Sequence, residues 1–314
     1  AKSGRNAGLL SPDGRRLAVV ASDSVHLPDL FLQDPLPNSE ALRITVSGTD
    51  AFSTHPLIPP EVVNFPHPDG GPVWAALYKP QRSNRAALIH VHGGGDRQFS
   101  HRGWSVYGYA SHLGLIHYFV EQGYTVLDLD YRGSSGFGRA YRTDIYRSAG
   151  MKDVDGAIAA VEFLVEKRGI DRPRVGIYGM SYGGSLTLMA LSRYPGVFAA
   201  GVDIAGATDY AQTTHSWTVR VLNLPDRDPE AYRISSPIQH LESLRDPLLI
   251  VHGLRDDNVL FQHAALLVQR LIELEKNFDV MFYPAEGHGI STEKSRYDYV
   301  RRVAAFFERH LLRR

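Results

Sequence analysis

Two loops and one turn in this 314-residue sequence carry residues whose type and setting suit nucleophilic catalysis. Gly179-Met180-Ser181-Tyr182-Gly183-Gly184 follows the apolar run from Arg174 to Tyr178 and precedes a helix-length segment. A Gly-x-Ser-x-Gly string between a strand and a helix reads as a nucleophile elbow, a strained turn that presents the serine hydroxyl at a helix N-terminus. Small neighbours let the helix approach the strand, and the amide of Tyr182 is then placed to donate to an oxyanion. The string is weak evidence alone; its strand–turn–helix setting gives it weight. With such an elbow the acid and the base follow in the order Asp, then His. Asp256 and Asp257 stand on a loop after Pro247–Val251, with Asp256 75 residues beyond the serine. His288 lies between Gly287 and Gly289 after Asp279–Tyr283, a further 32 residues on. The acidic pair also suits a helix N-cap ahead of residues 261–274, so one aspartate is expected to do each job.

The loop after Ala87–Val91 reads His92-Gly93-Gly94-Gly95, whose uncovered amides suit a second oxyanion donor, from Gly93 or Gly94. His90-x-His92 is also a candidate metal pair, since period-2 spacing puts both on one strand face. No His-Glu-x-x-His string or further closely spaced His/Asp set accompanies it, so no metal and no cofactor are assigned. His263 and His310 fit helix faces, His240 a loop border, and His252 the end of a strand. His288 alone combines chain order, loop position and flanking glycines.

Composition removes several other chemistries. The chain has no cysteine, which excludes a thiolate nucleophile, disulfides and Cys-ligated zinc or iron–sulfur clusters. Lys and Arg total 34, as do Asp and Glu, so the net charge is zero and a general nucleic-acid partner is not expected. No run approaches the ~20 apolar residues of a membrane helix, so no membrane partner is expected either. Arg15 and Arg16 precede only a short Leu-Ala-Val-Val run, which is not a signal-peptide pattern. The sequence reads as a soluble protein, cytoplasmic or exported, that lacks its native start.

The elements that must position these residues fall into two textures. Residues 1–55 hold the turn Ser11-Pro12-Asp13-Gly14 and short runs at 17–20, 29–32 and 41–46, an all-β signature with too few strands to close a core. Residues 54–60, with three prolines, read as a linker. From about residue 61, strand-like runs at 73–78, 86–91, 125–129, 174–178, 199–204, 247–251 and 279–283 alternate with helix-length segments. The helices are expected at 109–122, 154–167, 184–193, 262–275 and 292–312. Apolar strands alternating with amphipathic helices predict an α/β fold, a parallel sheet with helices on both faces. In such folds the site lies beyond the carboxyl ends of the strands, where all these loops stand.

The serine string, the run Asp130-Tyr131-Arg132-Gly133-Ser134-Ser135-Gly136-Phe137-Gly138, Asp256-Asp257-Asn258-Val259 and Gly287-His288-Gly289 together resemble the prolyl oligopeptidase family of serine peptidases. The likeness spans about residues 61–312, with the motifs in the expected order. It implies an α/β-hydrolase catalytic domain, residues 56–314, preceded by a β-propeller that restricts access. Residues 1–55 look like a partial propeller segment and linker. The implied partners are a peptide substrate and either the missing propeller or a second copy of the chain. Carried over, Ser181 is the nucleophile, Asp256 the orienter and His288 the general base.

The stretch from Asp256 to Gln262 is most similar to the dipeptidyl-peptidase branch. There the asparagine at the position of Asn258 contacts the substrate backbone, and aromatic residues line a proline-sized pocket. Tyr210 and Trp217 fall in the matching stretch, with core packing as the alternative role. His92 departs from the prolyl-specific pattern, which places a tyrosine there, and suits an acylaminoacyl-peptidase or esterase arrangement. The expectation is a serine peptidase acting on short peptides through an acyl-enzyme. A carboxylesterase and a non-catalytic binding scaffold are the alternatives.

Overall fold

The computed structural model describes residues 4–104, 110–213 and 216–312. Its strands form two sheets. β1 (Arg5–Leu10), β2 (Leu17–Ser22), β3 (Asp29–Gln33) and β4 (Leu42–Arg43) make an antiparallel meander in sequence order. The β1–β2 turn is the Ser-Pro-Asp-Gly string, closed by Ser11 Oγ donating to Asp13 at 2.6 Å, with Gly14 at φ 72°. A one-turn helix, α1 (Asp50–Thr54), follows, and residues 55–60 carry no strand or helix.

The second sheet has eight strands: β5 (Glu61–Pro66), β6 (Pro72–Tyr78), β7 (Ala87–Val91), β8 (Thr125–Asp130), β9 (Val175–Met180), β10 (Ala200–Ile204), β11 (Leu248–Gly253) and β12 (Asp279–Tyr283). Their order is β12-β11-β10-β9-β7-β8-β6-β5. β5–β6 and β6–β8 pair antiparallel; every other pair is parallel. The helices are α2 (Ala110–Glu121), α3 (Arg139–Thr143), α4 (Lys152–Arg168), α5 (Tyr182–Arg193), α6 (Ser216–Leu222), α7 (Pro229–Ser235), α8 (Gln262–Glu273) and α9 (Glu293–Phe307).

Alternate residues of the central strands feed two cores, because successive side chains leave a strand on opposite faces. Ile89, Leu127, Ile177 and Ile250 pack under α4, α5 and α8 through Val161, Leu164, Leu186 and Leu267. Leu88, Val126, Tyr178 and Val202 pack under α2 and α9 through Ile116, Phe119, Val303 and Phe307. This is the expected α/β-hydrolase architecture. The differences are local: the short helices α1, α3, α6 and α7 were not expected, and β4 has two residues rather than a run over 41–46. β5 and β1 were not expected: β5 is an edge strand ending in Pro66, and β1 is six exposed residues with Asn, Ala and Gly of low strand preference. Helix α5 starts at Tyr182 rather than at 184, since the turn occupies Ser181 alone. The expected start of α2 at Tyr109 lies outside the described residues.

Candidate active site

β9 ends at Met180, and Ser181 takes φ 62° and ψ −122° before α5 begins. For a residue with a side chain this backbone costs ~1–3 kcal/mol and persists only where the surroundings over-determine it. Those surroundings are explicit here. The Ser181 amide donates to Ile204 O at 2.8 Å, and Ser185 Oγ donates to Ala207 O at 2.7 Å. A β-carbon on Gly183 would lie 2.0 Å from Val91 O, so the first turn of α5 runs directly against the end of β7. The Tyr182 amide is then the first donor of a helix, a position with no intrahelical acceptor.

Two strands away, β11 delivers Asp256 and β12 delivers His288. The loops carrying them are stitched by backbone: Leu254 N–H donates to Tyr283 O and Arg255 N–H to Glu286 O, both at 3.0 Å. A β-carbon on Gly253 would meet Gly287 O at 2.3 Å, so only glycine allows this approach. His288 Nδ1 lies 2.8 Å from Asp256 Oδ2, and Asp256 Oδ1 accepts the amides of Asn258 and Val259 at 2.9 and 2.8 Å. Burial of Asp256 opposes its ionisation, but hydrogen bonds from His252 and His288 outweigh that, and the carboxyl titrates well below the usual range. The expected division of labour between the two aspartates is corrected here. Asp256 both bonds the imidazole and caps its own turn, Asp257 is exposed, and α8 has no side-chain cap.

On the other side of Ser181, Gly94 and Gly95 both take positive φ, 74° and 49°, in the loop after β7. His92 anchors that loop from beneath. Its ring is fully buried between Phe99 and Tyr131, with Nδ1 3.0 Å from Gly93 O and Nε2 2.9 Å from Ser134 Oγ. His90 Nδ1 bonds Asp128 at 2.7 Å. The candidate metal pair is thus placed in the core with fixed partners, and among the described residues no group of three or more His, Asp or Glu side chains could hold a metal ion. The Tyr182 hydroxyl donates to the buried Asp153, whose carboxyl burial pushes up to about 6 against the pull of that bond and of the Gly150 and Val154 amides.

Of the three substrate-contact candidates, Asn258 is exposed beside Asp256. Tyr210 is buried, and the half-buried Trp217 packs 4.6 Å from the Tyr182 ring and 6.2 Å from that of Tyr210. Trp217 also lines a cavity of about 320 Å³ with Gly95, Ile145 and Tyr146. Four residues next to these were not singled out from the sequence. Asp153 fastens Tyr182, and Asp130 holds the amides of Phe99 and Ser100 at 2.8 Å. His252 contacts Asp256 at 3.2 Å. Glu286 accepts the amide and hydroxyl of Ser291 at 2.8 and 2.9 Å and the Thr292 hydroxyl at 2.5 Å. Of these His252 left a signal, its place at a strand end four residues before the acid, and Asp130 opens one of the runs that carry the family resemblance.

Comparison with known proteins agrees with this geometry. The model of the family described as "Prolyl oligopeptidase family" matches residues 111–314. Human dipeptidyl peptidase 8 is 28% identical over 261 residues, 81% of this chain and 29% of that protein. A rat protein named inactive dipeptidyl peptidase 10 is 32% identical over 183 residues, 58% of this chain and 23% of its own length. The crystal structure of Porphyromonas gingivalis dipeptidyl peptidase 4 superposes with a TM-score of 0.85 at 27% identity, covering 98% of this chain and 44% of that one. The chain thus spans under a third of the length of these curated relatives.

Proposed function

Because the chain belongs to the prolyl oligopeptidase family, we propose that it is a serine peptidase acting on short peptides, of the dipeptidyl- or acylaminoacyl-peptidase kind. The observation that carries this reading is the 2.8 Å bond from His288 to Asp256, on loops at the same carboxyl ends of the parallel strands as the strained Ser181. Asp256, kept anionic, holds the imidazole tautomer that leaves Nε2 to take the Ser181 proton. Ser181 Oγ attacks the scissile carbonyl. The Tyr182 amide and that of Gly93 or Gly94 receive the oxyanion, each worth about 3 kcal/mol at the transition state. His288 then returns the proton to the leaving amine, and water repeats the sequence on the acyl-enzyme.

Substrate contacts follow on the same reading. Asn258, exposed beside the acid, meets the peptide backbone, and Trp217 with the buried Tyr210 behind it forms an apolar wall for the residue before the scissile bond. Residues 1–55 form a propeller-like unit distinct from the catalytic domain at 56–314. A fluorophosphonate probe tests the core of the proposal: it should label the wild-type chain and leave Ser181→Ala unlabelled. Equal labelling of both would refute the assignment. No labelling of the wild type would favour the binding scaffold, a role consistent with a relative that is named inactive.

Carboxylesterase activity is a second reading, favoured by the positive-φ glycines after His92, a loop geometry that serves backbone oxyanion donors in esterases. Comparing p-nitrophenyl esters with X-Pro and acyl-alanine anilides separates the two.

A further inference from the structure

His252 has no part in the triad, yet its ring rests on the carboxylate the triad depends on. It lies next to last in β11, is 1% exposed, and points Nε2 at two acceptors. Val259 O is 2.9 Å away and Asp256 Oδ2 is 3.2 Å away, and that oxygen is the one bonded by His288 Nδ1. A carbonyl can only accept, so Nε2 carries the hydrogen. With the amides of Asn258 and Val259 on Oδ1 and the two imidazoles at Oδ2, the Asp256 carboxylate has four nitrogen neighbours, and only one belongs to the base.

The groups around His252 come from several elements. Asp203 of the adjacent β10 is buried, its carboxyl pushed up by burial to about 7 against the pull of His252 and the Gly206 amide. Besides His288, His263 of α8 lies within electrostatic reach, and Phe261 presents its ring edge-on at 5.9 Å. Burial favours the neutral form of His252, but the bonds to Asp256 and Val259 O and the field of Asp203 outweigh it, raising its proton affinity.

We infer that His252 is a positioning residue that fixes the Asp256 carboxylate for His288 and shares its negative charge. The inference rests on reading Ser181, Asp256 and His288 as the triad. A ring on Oδ2 that can be protonated shares the charge of the carboxylate that His288 Nδ1 bonds, so its loss changes the field in which the triad works. His252→Gln keeps an amide donor near the Nε2 position and removes the titratable ring; His252→Leu removes both.

Each variant and the wild type are to be active-site titrated with a fluorophosphonate and assayed on a fluorogenic peptide from pH 5 to 9. His252→Gln should keep kcat per titrated site within about threefold, and the acid limb of kcat/KM should move up by roughly half to one pH unit. His252→Leu should show the same shift with a fall in kcat of about tenfold or more. If Leu does not fold, the Gln profile decides. An unmoved acid limb in His252→Gln overturns the inference, as does an activity loss fully accounted for by lost titratable sites. Failure of the wild type to label would instead remove the triad, and this inference with it.

Discussion

In the eight-stranded sheet, β7, β8, β10 and β11 are buried at every position, whereas all six residues of β1 are exposed and β2 is mostly half-buried. The large sheet is held by apolar layers on both faces. The small one is organised around a buried carboxylate: Asp29 accepts from Arg43, from Thr45 Oγ1 at 2.9 Å and from the Ser47 amide at 2.9 Å. It meets the rest of the molecule where Trp104 N–H donates to Ser22 Oγ at 3.2 Å, where Arg5 lies against Gly103 and where Leu27 packs on the second core, and the Phe52 ring of α1 meets that of Trp104 edge-on at 5.7 Å. The difference teaches where a perturbation travels. A close-packed layer passes a displacement on to the loops it carries, while a lightly buried meander absorbs it.

Gly183→Ala is the hardest test of the first half of that contrast. Its β-carbon would lie 2.0 Å from a β7 carbonyl, so α5 and the elbow must shift together. A loss of at least about 10³-fold in probe labelling and destabilisation of roughly 3 kcal/mol or more are expected, measured by labelling kinetics and denaturant unfolding. A well-folded variant with wild-type labelling would break the comparison.

Glu286→Gln probes the loop that carries His288 and should give an intermediate effect, a fall in kcat of about tenfold. Burial raises the Glu286 carboxyl, but the Thr292 and Ser291 donors outweigh it and bring it from 4.5 down to about 2. A depressed carboxyl stabilises the fold fully above its unfolded value, and that stability is lost as the pH falls through the folded value. The stability gap between wild type and Glu286→Gln should therefore be widest above about pH 5 and close between about 4.5 and 2. A gap independent of pH in urea titrations would count against it.

The smallest effect is expected in the meander. Leu9 is 79% exposed, and Leu9→Thr should leave kcat unchanged and stability within about 0.5 kcal/mol. A larger loss would show that β1 is buried against something, most simply another copy of the chain, and a sedimentation run would detect that copy.

How legible these regions were in the sequence follows the same division. The central strands were readable because both faces are buried, which leaves uninterrupted apolar runs such as Ala87–Val91 and Thr125–Leu129. β5 alternates only over the four residues Val63–Pro66, and β1 has no buried face at all, so neither stood out as an apolar run. At the site, Ser181, Asp256 and His288 were visible because glycine-rich loops follow strands in a fixed order. Asp153, Asp130 and Glu286 were not, because a carboxylate acquires its role from burial and from donors distant in sequence, and a pattern of residue types carries neither. The paired aspartates misled for a related reason. Spacing suggested two jobs for two residues, whereas one carboxylate has enough lone pairs to bond an imidazole and two amides together.

The stitching of the Asp256 and His288 loops also bears on how such a chain could change over time. With Gly253 in contact with Gly287 O and two cross-loop backbone bonds, neither loop can take an inserted residue without shifting the register of the other. New length is better tolerated where, among the described residues, no such bonds tie a loop to Asp256 and His288: after β7 and between β10 and β11, the segments that carry Gly94, Tyr210 and Trp217. On the proposed function, the acid–base pair is therefore locked in length, and variation is directed to the segments proposed to line the substrate.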